Sequence, residues 1–244
     1  MNRWLSLSLI LAASIASLSA LSACGRQPEL TDPVARGQRD FEGLGCAKCH
    51  MIGNMGNEWG PNLTLVGFRK TPQWLDLWLK NPHSWNQRTV MPNFNLKDDT
   101  RADLVAFLSA QKGQAWGDTY PWRTPEVLAM TPVKRGEFIF NKAGCVACHG
   151  QFGGGGYPNN NVAGGLIPTL TKVSEGYSKA ELHTKIQNGV AAPLMNDPKG
   201  EKPMIYMPKW GDQLKPDEID ALVEYLFSLM PHAAAGSPAA KDDF

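Results

Sequence analysis

The sequence predicts an all-α fold built from two tandem copies of one small helical domain. Three observations point there: a stretch that repeats at a fixed offset, apolar residues spaced for helix faces in both copies, and almost no strand pattern. Pro33-Val34-Ala35-Arg36-Gly37-Gln38 aligns with Pro132-Val133-Lys134-Arg135-Gly136-Glu137. The register then holds at an offset of 99 residues through Phe41/Phe140, Gly45/Gly144, Cys46/Cys145, Cys49/Cys148 and His50/His149. Later landmarks recur in the same order: Pro61-Asn62-Leu63 with Pro168-Thr169-Leu170, Met91-Pro92 with Met207-Pro208, and Leu104 to Leu108 with Leu222 to Leu226. The second copy is longer, chiefly through Gly-rich and Asn-rich insertions.

Each copy opens with a helix that starts after Thr31-Asp32 or Met130-Thr131. Pro33 or Pro132 takes the first helical position, where a missing N–H costs no hydrogen bond. This helix ends just before Cys46 or Cys145. A middle helix follows Thr71-Pro72 in the first copy and Tyr177-Ser178 in the second. Closing helices run from about Asp99 to Gln111 and from Pro216 to Met230; Leu104, Phe107 and Leu108 share one face, as do Leu222, Tyr225 and Leu226. Between the copies, 113–130 is rich in Trp, Pro and Gly and reads as an ordered, non-helical strap lying against one of the domains. Residues 232–244 read as a disordered tail. The domains are then 31–112 and 131–231.

The first 23 residues have the plan of a secretory signal: Arg3 gives a positive start, Trp4 to Ala20 is almost free of charge, and small residues precede Cys24. Leu21-Ser22-Ala23-Cys24 resembles the lipobox of bacterial lipoproteins. That resemblance implies cleavage before Cys24, acylation of its sulfur and amino group, and a short tether over 24–30. Several acyl chains anchor durably, since each buried CH₂ contributes about 0.8 kcal/mol. Gly25 stands where such lipoproteins carry Asp for inner-membrane retention, so the expectation is an exported, periplasm-facing protein, the outer membrane being favoured over the inner. Of five cysteines, lipidation uses the odd one, and the other four fall as two pairs whose spacing is not that of structural disulfides. The 24 basic and 23 acidic residues predict no basic face for nucleic acid; docking must come from local patches.

Cys46-Ala47-Lys48-Cys49-His50 and Cys145-Val146-Ala147-Cys148-His149 are each the attachment pattern of c-type haem. Two thiols three positions apart on one turn can reach the two vinyl groups of a macrocycle, and the adjacent His points its imidazole at the iron. Zinc ribbons bring their CxxC pairs much closer together, and a redox dithiol leaves both histidines unexplained. The sixth ligand separates electron transfer from catalysis. Met91 lies 41 residues beyond His50 and Met207 58 beyond His149, ample to approach from the opposite face, and a following Pro keeps each Met out of helical geometry. Met204 rivals Met207; His83 and His183 read better as surface or hydrogen-bonded side chains. Met51, beside the proximal His, would be held on its side. A thioether opposite His raises the haem potential.

These motifs, with Gly37-x-x-x-Phe41, Gly136-x-x-x-Phe140 and the prolines Pro61 and Pro168, resemble class I cytochromes c in tandem dihaem form, over nearly all of 31–231. The resemblance implies a few helices wrapped around one covalent haem in each half, with the helix glycines allowing the opening helix to cross the closing one near Phe107 and Tyr225. It also implies that the Pro61 and Pro168 carbonyls accept the proximal His N–H, a contact that tunes the ligand. The long loop from Gly150 to Gly165 departs from the compact pattern. Trp59, Trp74, Trp78, Trp85 and Trp210 are expected to pack in core or surface rather than to serve haem directly. Two covalent haems with both axial positions filled predict an electron carrier or relay with redox protein partners, without a small-molecule substrate. A fixed subunit of a membrane quinol-oxidising or reductase complex is the alternative within that class. A dihaem peroxidase fits less well, because both halves offer a Met, and a sensor lacks a transmitter module.

Overall fold

In a computed structural model that describes residues 30–229, six helices longer than one turn carry the architecture. They are α1 (Pro33–Gly43), α2 (Pro72–Lys80), α3 (Asp98–Ala110), α4 (Pro132–Lys142), α5 (Lys179–Asn188) and α6 (Pro216–Ser228). Local chemistry fixes their starts. The Asp32 carboxylate accepts the N–H groups of Val34 and Ala35, Thr71 accepts that of Trp74, and Ser178 forms a capping box with Glu181. The signal segment, Cys24 and the tail lie outside the described residues. Among the described residues no helix is long and apolar enough to cross a membrane.

The opening and closing helices of each half cross through a glycine. A Cβ on Gly37 would fall 2.0 Å from the Asp103 carbonyl oxygen and 2.7 Å from the Phe107 Cβ; on Gly136 it would fall 2.0 Å from the Ala221 oxygen and 2.7 Å from the Tyr225 Cβ. The aromatics beside each crossing also match, Phe41 on Phe107 at 5.5 Å and Phe140 on Tyr225 at 5.4 Å between ring centres. The arginine before each glycine is paired in both halves but to different turns: Arg36 reaches Asp103 at 2.7 Å, whereas Arg135 reaches Asp217 at 2.8 Å, one turn before Ala221, the counterpart of Asp103. The duplication thus extends to backbone approach, while the charge pairing has shifted by a turn.

The two halves share their cores. Leu65 of the first half is buried in the cluster built from α4 and α6, while Ile167 and Ile205 of the second are buried in the cluster of α1, α2 and α3. Lys142 of α4 also pairs with Glu58. Asp32 to Leu229 lies within one compact unit.

Four expectations need correction. The strap is not free of helix: 3₁₀ turns at Gln114–Trp116 and Pro121–Arg123 and one α-turn at Pro125–Leu128 punctuate it. Proline at the first position starts the latter two. It packs on the second half, where Trp122 is fully buried and Arg123 grips Glu218 with contacts of 2.6 and 3.0 Å. A two-residue hairpin, Met51–Ile52 against Met55–Gly56, follows His50; its turn is made by Gly53-Asn54, with Gly53 at φ 61°. Gln111 caps α3 rather than ending it, and α6 closes at Ser228.

Candidate functional site

In the first half, Gly45 at φ 73° turns the chain out of α1 into a 3₁₀ turn, Cys46–Lys48. That turn sets Cys46, Cys49 and His50 around one end of a cavity of about 1030 Å³, with Met91 also on its wall. The His50 Nδ1 lies 2.9 Å from the Pro61 carbonyl oxygen. A carbonyl only accepts, so Nδ1 carries the proton and Nε2 keeps its lone pair. Burial pushes His50 below the usual imidazole value, against the opposing pull of Pro61, which keeps the ring neutral at pH 7. Gly60 holds the ring from the side: a Cβ there would come within 2.6 Å of Cε1.

Met91 is oriented as firmly. The Trp78 indole N–H donates to its sulfur at 3.0 Å, and its own backbone N–H donates to the Thr89 hydroxyl at 3.2 Å. Trp78 in turn stacks on buried Trp74, with ring centres 5.1 Å apart. The cavity therefore offers two thiols, a neutral imidazole and a fixed thioether inside largely apolar walls. That donor set fits haem c: Cys46 and Cys49 would be the residues to tether it, and His50 and Met91 the ones its iron could draw on. Among the described residues no cluster of three or more His, Cys, Asp or Glu could hold a bare metal ion.

The second half repeats this plan more loosely. Gly144, at φ 83°, leads into a one-turn α-helix, Val146–His149, and the His149 Nδ1 stands 3.4 Å from the Pro168 carbonyl. Burial lowers His149 and pushes the Cys145 thiol up to about 12. Met207 packs against the same core as Cys145, Val146 and Leu170, whereas Met204 packs against the core of the first half. The Val190 N–H donates to the Met207 carbonyl at 2.8 Å. Gly189 makes that approach possible, since a Cβ there would stand 2.5 Å from the Met207 and Pro208 oxygens.

The departing loop anchors this Met segment. Buried Asn159 donates to the Ile205 carbonyl at 2.8 Å and accepts its N–H at 3.2 Å; Asn160 accepts from Met204 at 2.6 Å; Asn161 donates to the Asp197 and Glu201 carbonyls. These asparagines, with Gly60, Arg69 and Lys70, escaped the sequence reading. The Asn run was visible only as an insertion, and nothing local marked Gly60.

The remaining predicted residues are placed as follows. Trp59 is 77% exposed at the cavity mouth. Trp85 donates to the Pro158 carbonyl at 3.2 Å, and buried Trp210 meets Phe68 edge-on. His83 is exposed on the Pro82–Trp85 turn, and His183 pairs with Asp220 at 2.7 Å on the surface.

Comparison with known proteins places this geometry in context. The family model described as cytochrome c matches residues 34–112 and again 133–230. The cytochrome c oxidase subunit 2 of Alkalihalophilus pseudofirmus is 28% identical over 101 residues, covering 36% of this chain and 30% of that one. A nitric oxide reductase subunit of Stutzerimonas stutzeri is 30% identical over 102 residues, covering 39% of this chain and 68% of that one. The chain thus spans under a third of the oxidase subunit's length. A Kuenenia stuttgartiensis reducing HAO-like protein complex aligns at 18% identity over 83% of this chain and 97% of the other, but with a TM-score of 0.27, too low to bear on fold or function.

Proposed function

Because the chain belongs to the cytochrome c family and carries two of its domains in tandem, we propose that it is a dihaem electron carrier in which His50 and Met91 ligate one haem and His149 and Met207 the other. When bound, haem c supplies a one-electron ferric/ferrous couple. Cys46 and Cys49, like Cys145 and Cys148, are the residues to tether it. The observation that carries this reading is the first cavity: it brings both thiols, the Pro61-bound imidazole and the Trp78-bound Met91 together within one largely apolar enclosure. With nitrogen and sulfur both held by the chain, no coordination position is left for a reactant, which favours a carrier over a peroxidase. The Pro61 and Pro168 carbonyls fix the rings and raise their basicity.

For the second site, Met207 is preferred to Met204 because Met207-Pro208 repeats the Met91-Pro92 pair of the first copy, and it packs in one core with Cys145, while Met204 packs in the other with Cys148. Met91→Ala and Met207→Ala should each remove half of the far-red thioether-to-iron absorption of the oxidised protein; loss of half with Met204→Ala, while Met207→Ala leaves it whole, contradicts the assignment.

Export, acylation at Cys24 and an outer-membrane position belong to the same proposal and rest on the lipobox resemblance. Mass analysis of the N-terminal peptide tests them, acylated Cys24 being the expected species. A fixed place in a membrane respiratory complex is a second reading, supported by likeness to proteins named as subunits of an oxidase and a reductase. Purification in mild detergent separates the two readings: a constant set of companion membrane proteins favours the subunit, a lone chain the carrier.

A further inference from the structure

Two cations stand at the seam between the halves in the wall of the first cavity. Arg69 is 5% and Lys70 9% exposed. Arg69 donates to the carbonyls of Asn62 at 2.6 Å and Gly144 at 3.1 Å, and its Nε is buried with no partner. The Lys70 ammonium lies 4.2 Å from the centre of the Trp74 ring and, among the described residues, its hydrogen-bond partner is the Cys148 sulfur at 3.5 Å. Among the described residues neither forms an ion pair with a carboxylate. A buried charge without a counter-ion costs several kcal/mol, so an anion seated beside these two cations would be strongly favoured. The feature is built for from the far side as well: Gly144, just ahead of Cys145, has no side chain where Arg69 sits, and a Cβ there would fall 2.6 Å from the guanidinium carbon.

We propose that Arg69 and Lys70 form one cation seat shared by both haem sites, holding a carboxylate of the first haem while lying against the Cys148 tether of the second. The proposal rests on the dihaem reading above. Its observations are the two cations on the first cavity's wall, the Lys70 contact to Cys148, and the packing of Cys148 against the core of the first half. A fixed positive charge disfavours the ferric state, which is the more positive of the two, and so raises the potential of any haem beside it. One pair of residues from the first half therefore raises two potentials, including that of the haem carried by the second. Each acts as a positioning and tuning residue and is not itself a ligand.

The test is a spectroscopic redox titration of the purified holoprotein, with haem counted per chain, for wild type and Lys70→Met. Both midpoint potentials should fall, by about 59 mV for a tenfold drop in each one-electron reduction constant; Lys70→Arg should keep both near wild type. A shift in one potential only, or in neither, with two haems retained overturns the shared seat and leaves the dihaem reading intact. Fewer than two haems in the wild-type protein overturns that reading and the seat with it. Should Lys70→Met fail to mature, Lys70→Gln removes the same charge at similar length and is judged by the same outcomes.

Discussion

The two halves differ most where their sequences lose register. In the first, His50 is held at 2.9 Å by Pro61, and Met91 is steered by Trp78 of α2 and by Thr89 of its own loop. In the second, the corresponding His contact lengthens to 3.4 Å, and the backbone of the Met segment hangs on the side chains of a distant asparagine run. The glycine crossings, by contrast, match in their close approaches, at 2.0 and 2.7 Å in both halves. Duplication has kept the helix frame and the attachment turns, and the difference has been placed in the loops. That difference serves both sites, since Tyr157, Pro158, Ile167 and Ile205 of the longer copy wall the cavity of the shorter one.

The sharpest break in the symmetry is the strap, which starts on the first half, where Gly113 donates to the Thr64 carbonyl, and grips the second through Arg123 and the fully buried Glu218. Arg123→Met leaves that carboxylate with the Lys215 N–H but no counter-charge and should cost about 3–5 kcal/mol in denaturant unfolding. Little change would show that Glu218 finds another partner. A smaller effect probes the asparagine run: Asn159→Ala leaves the Ile205 amide and carbonyl without partners and should cost about 1–3 kcal/mol. It should also weaken the far-red band of the second site more than that of the first.

The shared frame is tested by Gly37→Ala and Gly136→Ala. Each drives a methyl into a carbonyl 2.0 Å away, and both should destabilise alike, by about 1–3 kcal/mol or more. Clearly unequal losses would show that only one crossing is tight. The least effect concerns acid. Arg36 and Arg135 hold Asp103 and Asp217 below the usual carboxylate range. The stability they give is therefore complete above an unfolded value of about 3.9 and is lost as pH falls through the lower folded value. Asp103→Asn and Asp217→Asn should each flatten the acid limb of a stability-against-pH curve below about pH 4.

Much of this frame was legible in the chain itself because it is local. Pro33 and Pro132 behind Asp32 and Thr131 announce helix starts, and Gly37 four residues before Phe41 announces a crossing. The attachment turns carry their chemistry in five consecutive residues. What stayed hidden is non-local. Nothing in Pro203-Met204-Ile205-Tyr206-Met207 says that Met204 and Ile205 face the first half while Met207 faces the second. Arg69 and Lys70 look like surface charge until the fold buries them beside Cys148. The 51–56 hairpin and the turns of the strap are shorter than any periodicity can register.

The central claim is that each half closes one covalent haem with its own histidine and methionine. The far-red thioether-to-iron absorption of the oxidised protein, measured per chain against the haem content, tests it most directly. The account predicts two haems per chain and the intensity of two Met-ligated sites. A single haem, or a band of half that intensity beside a high-spin signal, would contradict it.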